Sequence, residues 1–454
     1  MIPDPSPAAG RSLIERLLSP IAEVRRGEAA SALLMTLTMF LILAGYYMLK
    51  TAREVFILSE GGAEIKTYSS AGQALLLLVL VPAYGAFASR VNRVQLIQWV
   101  TAFFALNLGL FVAALAAGLH IGIVYFLWIG IFNVMVIAQF WAFASDLYTT
   151  EQGARLFPLI GIGSSLGAWI GSLRAGDLVA RVGPSRLLVS GAAVLLVCVG
   201  LTRAIDRVTR RGAPSQSHHA DDTLAGGKGG FEMIASDRYL TLIALLTVLL
   251  NVVNTSGEYL FGRYVVETAN AIHGPGAEAN AARQQFIGQT YSSLYSHVNL
   301  IGFLLQVFVV SRVFKFLGVG RALFIHPIVA LGGYVMMLRS PSFEAMRWLK
   351  IADNSIDYSL GNTTKQALWL PTSRQAKYKA KQAVDSFCVR AGDVLQAGIV
   401  YTAERVALSI PGFAGVNVVL AAAWLAVAAA LNLRLRPHAT PPAAGAAATE
   451  PAVS

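Results

Sequence analysis

Charge is scarce in this sequence. Asp, Glu, Lys and Arg make up 13% of its 454 residues and hydrophobic types 55%, whereas a soluble domain carries roughly 25% charged residues. The deficit excludes a molecule whose whole surface faces water. Cysteine is nearly absent: Cys198 and Cys388 are the only two, which excludes a disulfide framework and a Cys-based metal site. Glycines between Gly161 and Gly171 imitate a phosphate loop, but no Lys-Ser/Thr follows and no strand precedes. No Walker signature occurs elsewhere, so ATP hydrolysis is not the energy source. No His/Asp constellation of the sort a membrane enzyme needs is present, and neither a catalytic centre, a metal site nor a cofactor is expected. The segment 11–28 is charged and interrupted by Pro20, so no cleavable signal peptide is expected.

What the sequence has instead is long apolar runs. Residues 33–49, 71–88, 94–119, 121–145, 187–202 and 239–256 are largely free of charge. A helix rises about 1.5 Å per residue and the hydrocarbon core of a bilayer is roughly 30 Å thick, so runs of this size suit crossings. A crossing must be a helix or part of a closed barrel, because lipid offers no partner to an unpaired backbone group. Barrel strands are short and alternating; these runs are long and apolar on all faces. The spans predicted are 30–57, 67–88, 94–117, 121–145, 156–180 and 185–204, then 238–264, 285–311, 321–339, 343–364, 382–404 and 412–433. The expected protein is an all-α integral membrane protein of about twelve transmembrane helices. They form two six-helix bundles, 30–205 and 238–433, around a central cavity. A linker over 206–237, rich in Gly, Ser, His and charge, joins the bundles. Residues 1–29 precede them, and a disordered tail rich in Ala and Pro over 434–454 follows.

The basic residues give the orientation. Arg11, Arg16, Arg25 and Arg26, then Arg90 and Arg93, then Arg207, Arg210, Arg211 and Lys228 fall on one side of a twelve-span chain. So do Arg312, Lys315 and Arg321, the stretch from Arg374 through Lys377 and Lys379 to Lys381, and Arg434 and Arg436. Arg181 and Arg186 are exceptions. That side is expected to be the cytoplasm, with both termini in it. The net charge of +11 then reflects basic cytoplasmic loops and a lipid-embedded protein, with no nucleic acid partner.

Ionisable residues inside membrane helices cost roughly 2.5–3.5 kcal/mol on insertion scales, so they usually face a cavity or a partner. Lys50, Arg53 and Glu54 lie within one turn near the end of the first span. Lys50 and Glu54 are four apart and can pair along one face. Because the apolar stretch 55–58 continues beyond them, a cavity-lining cluster with spare positive charge competes well against snorkelling at the interface. In the seventh span Asn251, Asn254 and Glu258 share a stripe, either a polar cavity face or interhelical hydrogen bonding. Lys350, Asp353 and Asp357 share a face of the tenth span. Lys381, Asp385, Arg390 and Asp393 follow in the eleventh. These acids and bases are either structural pairs or a network that switches as the bundles rock. Gly163, Gly167 and Gly171 are four apart, which suits close helix packing. His297 in the eighth span suits a buried, hydrogen-bonded role better than a proton shuttle.

The two halves echo each other. Thr51-Ala52-Arg53-Glu54 in the first span matches Thr255-Ser256-Gly257-Glu258 in the seventh, each followed closely by an aromatic, Phe56 and Tyr259. Equivalent positions of a duplicated transporter are where such a match belongs. The 6+6 layout suggests the major facilitator architecture, and the stretch from Gly85 to Arg90 and Arg93 loosely resembles that superfamily's loop between the second and third spans, without its Asp.

The charged segments also resemble the nucleotide (ATP/ADP) translocase family of plastids and bacteria. Leu49 to Ser59 with Gly62, Ala63, Glu64 and Ile65 is similar to its first-span signature. Phe140 to Asp146 followed by Arg155 to Gly161 is similar to its fourth-to-fifth span region. Asn354 to Ser359 with Thr364 and Lys365, and Lys379 to Asp385, are similar to its tenth-to-eleventh span region. The resemblance implies a facilitator-type fold in a bacterial inner membrane and exchange of nucleotides such as ATP for ADP. It places Arg53 at a basic position implicated in transport, and Lys379 and Lys381 in the basic stretch of the eleventh-span region. Two departures stand out: residues 121–145 contain no acid where the translocases carry one, and Glu258 lies about one turn beyond the expected seventh-span acid. A facilitator for another organic anion or metabolite therefore stays open beside nucleotide exchange. The substrate-binding set expected is Lys50, Arg53, Glu54, Asn254, Glu258, Asp353, Asp357, Lys379, Lys381, Asp385, Arg390 and Asp393.

Overall fold

The computed structural model describes residues 24–25, 28–88, 93–210, 229–339 and 342–435. Helical rods follow one another along the chain. The first two are arms of one long helix, Ala29–Ala88, broken at Gly62: α1 over 29–61 and α2 over 63–88. The first half is completed by α3 (Arg93–Ala116), α4 (Gly122–Leu147), α5 (Thr150–Val182) and α6 (Ser185–Arg210). The second half comprises α7 (Arg238–His273), α8 (Asn280–Phe308), α9 (Ile325–Met337), α10 over 343–367, α11 over 376–405 and α12 (Ile410–Leu435).

Seven of the described helices are long and apolar enough to cross a bilayer by composition alone, an eighth if Ala277–Phe308 and the bent Val310–Ala322 form one span. The break at Gly62 divides the longest into two rods. The shorter α9 and the polar, interrupted α10 and α11 fill out the second bundle. Lipid is the solvent this surface suits: Val79, Leu106, Val419 and Leu433 are between 66% and 72% exposed.

The α1–α2 junction differs from the sequence expectation. A loop was expected between 57 and 67, yet the helix continues through Ser59, Glu60 and Glu64. Gly62 makes the turn alone, at φ +70°, a left-handed conformation that glycine adopts without steric cost. The expected linker is helical at both ends, as α6 runs to Arg210 and a short helix covers Gly230–Ser236. Its stretch 211–228, most of the N-terminal segment, residues 89–92 and the tail from 436 lie outside the described residues. The basic loop after α8 is a helix, Val310–Ala322, bent 73° from its predecessor.

In the first bundle α1 is central. Gly163, Gly167 and Gly171 of α5 lie against Thr36, Phe40 and Ala44 of α1, one glycine per turn, with backbone carbonyls where side chains would be. On its other sides α1 meets α6 and α4, where Tyr125 donates to the Leu49 carbonyl at 3.1 Å. Rings of Phe104, Phe111, Tyr125, Trp128 and Phe132 interlock beside it. In the second bundle α12 packs on α7 and α9, and α8 on α10. Wide i→i+5 turns interrupt α4 at Asn133–Ile137 and α10 at Asp357–Gly361, equivalent rods of the two halves. Such turns are frequent at functional sites.

Candidate functional site

Buried and half-buried charges form a chain that crosses from one bundle to the other. Glu54 of α1 is fully buried. Its carboxylate pairs with the neighbouring Arg53, accepts from the Tyr295 hydroxyl of α8 at 3.1 Å, and lies 2.7 Å from the Lys66 ammonium of α2. Lys66 also lies 3.6 Å from Glu258 of α7. Glu258 continues to Lys350 of α10 at 3.3 Å and accepts from the Asn354 amide at 3.2 Å. From Lys350 the chain passes to Asp353 at 3.3 Å and then to the His326 imidazole of α9, again at 3.3 Å. Each of these groups has an opposite charge or a dipole to face, which is what makes buried ions tolerable in a bundle.

The pairing that helical spacing allows between Lys50 and Glu54 is not made. Arg53 and Lys66 occupy the carboxylate, and Lys50 turns onto the Tyr295 ring, 4.3 Å from its centroid, and the Tyr47 ring at 5.3 Å. Helical spacing brings residues four apart onto one face but does not decide which cation a buried acid takes; the second bonding partner comes from another rod. Arg53 in turn lies over the Phe126 ring of α4 at 4.7 Å.

The α7 stripe faces α10 and α11. Asn251 donates to Asp393 at 2.8 Å and to the Val389 carbonyl at 2.7 Å, and Asn254 accepts from Lys350 at 3.2 Å and donates to Asp357 at 3.4 Å. The tenth- and eleventh-span charges, read together in the sequence, divide into two groups. Asp353 and Asp357 join the central chain. Lys381 pairs with Asp385 at 2.7 Å, and Arg390 with Asp393 at 3.6 Å, both within α11. Lys379 lies beside Gly230 of the short helix before α7. His297 bonds within its own helix to the Ser293 carbonyl at 2.7 Å.

Three charged or ionisable members of the chain, Lys66, Lys350 and His326, stand outside the expected substrate-binding set, although Lys350 shares the expected face of the tenth span. Lys66 lay in the supposed loop before the second span; the signal was that Gly61 and Gly62 are too short a break to be a loop. His326 is a lone histidine in an apolar run, and its partners sit on another rod.

Polar contacts also tie the bundles together at the Gly62 end. Tyr259 donates to Glu64 at 3.2 Å, with Arg263 3.7 Å from the same carboxylate. Tyr68 donates to Glu404 at 2.5 Å and Gln284 to Ser59 at 3.5 Å. Nearer the middle, Ser292 donates to the Ser172 carbonyl at 2.6 Å and Asn299 to the Ala168 carbonyl at 3.3 Å.

Solved transporters share this architecture. A bacterial homologue of the iron transporter ferroportin, in an inward-facing state, superposes with a TM-score of 0.61 at 13% identity, covering 89% of this chain and 98% of that one. The nucleoside transporter NupG gives 0.60 at 16% identity, over 87% and 98%. A bacterial homologue of the human lysosomal transporter Spinster, inward-facing and unoccupied, gives 0.54 at 15%, over 92% and 96%. At these identities the likeness is one of fold: an all-α membrane protein of the major facilitator type. No protein-family profile and no curated protein sequence matches the chain.

Proposed function

We propose that this chain is a secondary transporter that works by alternating access and exchanges an anionic small molecule, with nucleotides of the ATP/ADP type as the leading substrate class. The observation that carries the reading is Lys50. Along the buried chain, Arg53, Lys66 and Lys350 stand against Glu54, Glu258 and Asp353. Among the described residues no carboxylate oxygen comes within ion-pair distance of Lys50, which is held by ring faces alone. A half-buried cation without a counter-ion, between two bundles, is a ready site for phosphate or carboxylate. In a low-dielectric cavity that attraction is little screened.

Alternating access accounts for the bridging pairs. Lys66–Glu258, Tyr259–Glu64, Tyr68–Glu404 and Gln284–Ser59 all lie toward the Gly62 end, away from residues 29 and 435. With both termini in the cytoplasm of a bacterial inner membrane, these contacts close the outer face. Rocking of the bundles breaks them and opens the site outward. Lys379, Lys381 and Asp385, near the opposite end, then belong to the cytoplasmic entrance, and Arg390 and Asp393 to its wall.

A transporter of another organic anion is the second reading. It is favoured by α4, which brings the Phe126 ring and no carboxylate against Arg53. Labelled ATP uptake into liposomes carrying the purified protein, with and without internal ADP, separates the two. Uptake that requires internal ADP supports nucleotide exchange. No uptake from vesicles holding folded protein removes nucleotides and directs the search to organic anions.

A further inference from the structure

His326 belongs to a closed ring of polar groups inside the second bundle. Its Nε2 lies 3.3 Å from Asp353 and its Nδ1 3.8 Å from Asp357. Asp353 contacts Lys350 at 3.3 Å, Lys350 contacts the Asn254 carbonyl oxygen at 3.2 Å, and the Asn254 amide returns to Asp357 at 3.4 Å. His326 is 5% exposed. A neutral imidazole has one N–H and one lone pair. With a carboxylate at each nitrogen, one of them would face the lone pair, which repels it. The ring closes with attractive contacts throughout only when it holds one further proton, on the imidazole or on an aspartate.

A route for that proton is present. A narrow crevice of about 20 Å³ is lined by His326, Thr364 and Lys365 on an otherwise mostly apolar wall that includes Leu246, Leu360 and Trp424. It lies in the half of the bundle away from Gly62. Among the described residues, His326 Nδ1 and Thr364 Oγ1 are buried without a hydrogen-bond partner. Two unpartnered polar groups on one wall of this narrow crevice give a single water a place to bind.

We propose that His326, Asp353 and Asp357 form a site that binds one exchangeable proton, reached through the crevice, and that its occupancy governs the grip of Lys350 on Glu258. The groups facing the imidazole are Asp353 and Asp357 from α10, with Lys350 behind the first and Lys365 along the crevice. From α7 come the neutral Asn254 and, beyond Lys350, Glu258; from α12, the neutral Trp424 ring. When the proton leaves, the ring carries an uncompensated negative charge that draws Lys350 toward Asp353 and away from Glu258. Glu258 is the acid that also holds Lys66 of the first bundle, so the proton acts on the contact between bundles. The proton binding itself does not depend on what the protein transports.

Trp424 provides the reporter, its ring edge-on to the imidazole with centroids 4.8 Å apart. A protonated imidazole quenches a neighbouring indole. The intrinsic fluorescence of the full chain in detergent is titrated between pH 5 and 9, for the wild type and for Trp424→Phe, His326→Gln and Asp357→Asn, each checked for monodispersity. The expected result is a reversible step in the wild type that is lost in W424F and H326Q. In the isosteric D357N it moves to lower pH by about one unit or more, because an anion beside the imidazole is gone. A step that persists in H326Q, a step unmoved in D357N, or a flat wild-type titration overturns the proposal. Should H326Q not fold, D357N decides alone. Nucleotide uptake enters none of these readings, so failure of the transport proposal is seen separately.

Discussion

Glu54 and Glu258 meet on one ammonium. They stand at matching places in the repeated motif of α1 and α7, and Lys66 of α2 lies 2.7 Å from the first and 3.6 Å from the second. The matched motifs therefore do more than mark two similar bundles. Two acids thereby come to the axis between the bundles, where one shared cation faces both and joins the halves, Arg53 and Lys350 supplying the remaining charge. Any motion that parts the bundles must leave Lys66 with one acid or the other, and the shorter distance favours Glu54.

Replacing Lys66 by methionine should loosen that contact. Removing one partner of a buried pair costs about 3–5 kcal/mol. Arg53 still holds Glu54 and Lys350 still holds Glu258, so the loss should fall at the low end of that range. Thermal unfolding in detergent should show a clear drop for K66M. The double variant K66M/E258Q should lose less than the two single variants together, since the groups are in contact. Strict additivity would mean that Lys66 and Glu258 do not interact.

Lys50 and Arg53 should separate binding from stability. Arg53→Ala leaves Glu54 with one cation fewer, so both melting temperature and uptake should fall. Lys50→Ala removes a cation that no acid holds, so the melting temperature should stay close to wild type while uptake of the transported anion falls at least about tenfold, the equivalent of about 1.4 kcal/mol of lost attraction. A K50A protein that melts as early as R53A would make Lys50 a structural residue.

The sequence carried the architecture because lipid enforces it. Long apolar runs, basic loops and a polar middle segment each follow from the solvent, and the expected all-α fold is the one found. The repeat motif located Glu54 and Glu258, and helical spacing placed Asn254, Asp353 and Asp357 on faces that do meet. What it did not carry was partner choice across rods. Glu54 takes Lys66 in preference to Lys50, and Asp353 and Asp357 flank His326, because of how α1, α2, α9 and α10 are packed, and no spacing within one helix encodes that. The α1–α2 turn was hidden because polar residues around Gly62 look like a loop until one glycine is seen to make the whole turn.

Outside the bilayer, Glu28 gives a pH dependence of definite sign. Partial burial pushes its carboxyl upward, but hydrogen bonds from Arg155, the Arg25 N–H and Gln152 outweigh this and hold it below the ordinary 4.5. A carboxyl lowered by folding adds stability above its unfolded value and loses it as pH falls through the folded one. The gap in melting temperature between wild type and Glu28→Gln should be constant from pH 8 down to about 5 and close in more acid solution. A gap that widens on acidification would contradict the pairing with Arg155.

The glycines of α5 offer a test of how closely the rods approach. A Cβ on Gly167 would collide with the Phe40 carbonyl, and one on Gly163 would lie 2.7 Å from the Thr36 carbonyl; a Cβ on Gly161 would meet nothing within 4 Å. Alanine is favoured over glycine in a helix by about 1 kcal/mol, so Gly161→Ala should melt at or slightly above the wild-type temperature. Gly167→Ala gains the same propensity but must push α5 off α1. Rod α1 cannot yield, because Gly45 already lies against Val194 and Leu49 against Gly191 of α6. The displacement therefore falls on α5, and with it on Ser172 and Ala168, whose carbonyls receive Ser292 and Asn299 from the other bundle. G167A should accordingly melt well below G161A and weaken the contact between bundles, which cysteine accessibility along α8 would register. Equal melting of the two variants would mean that the rods stand further apart than the glycine ladder requires.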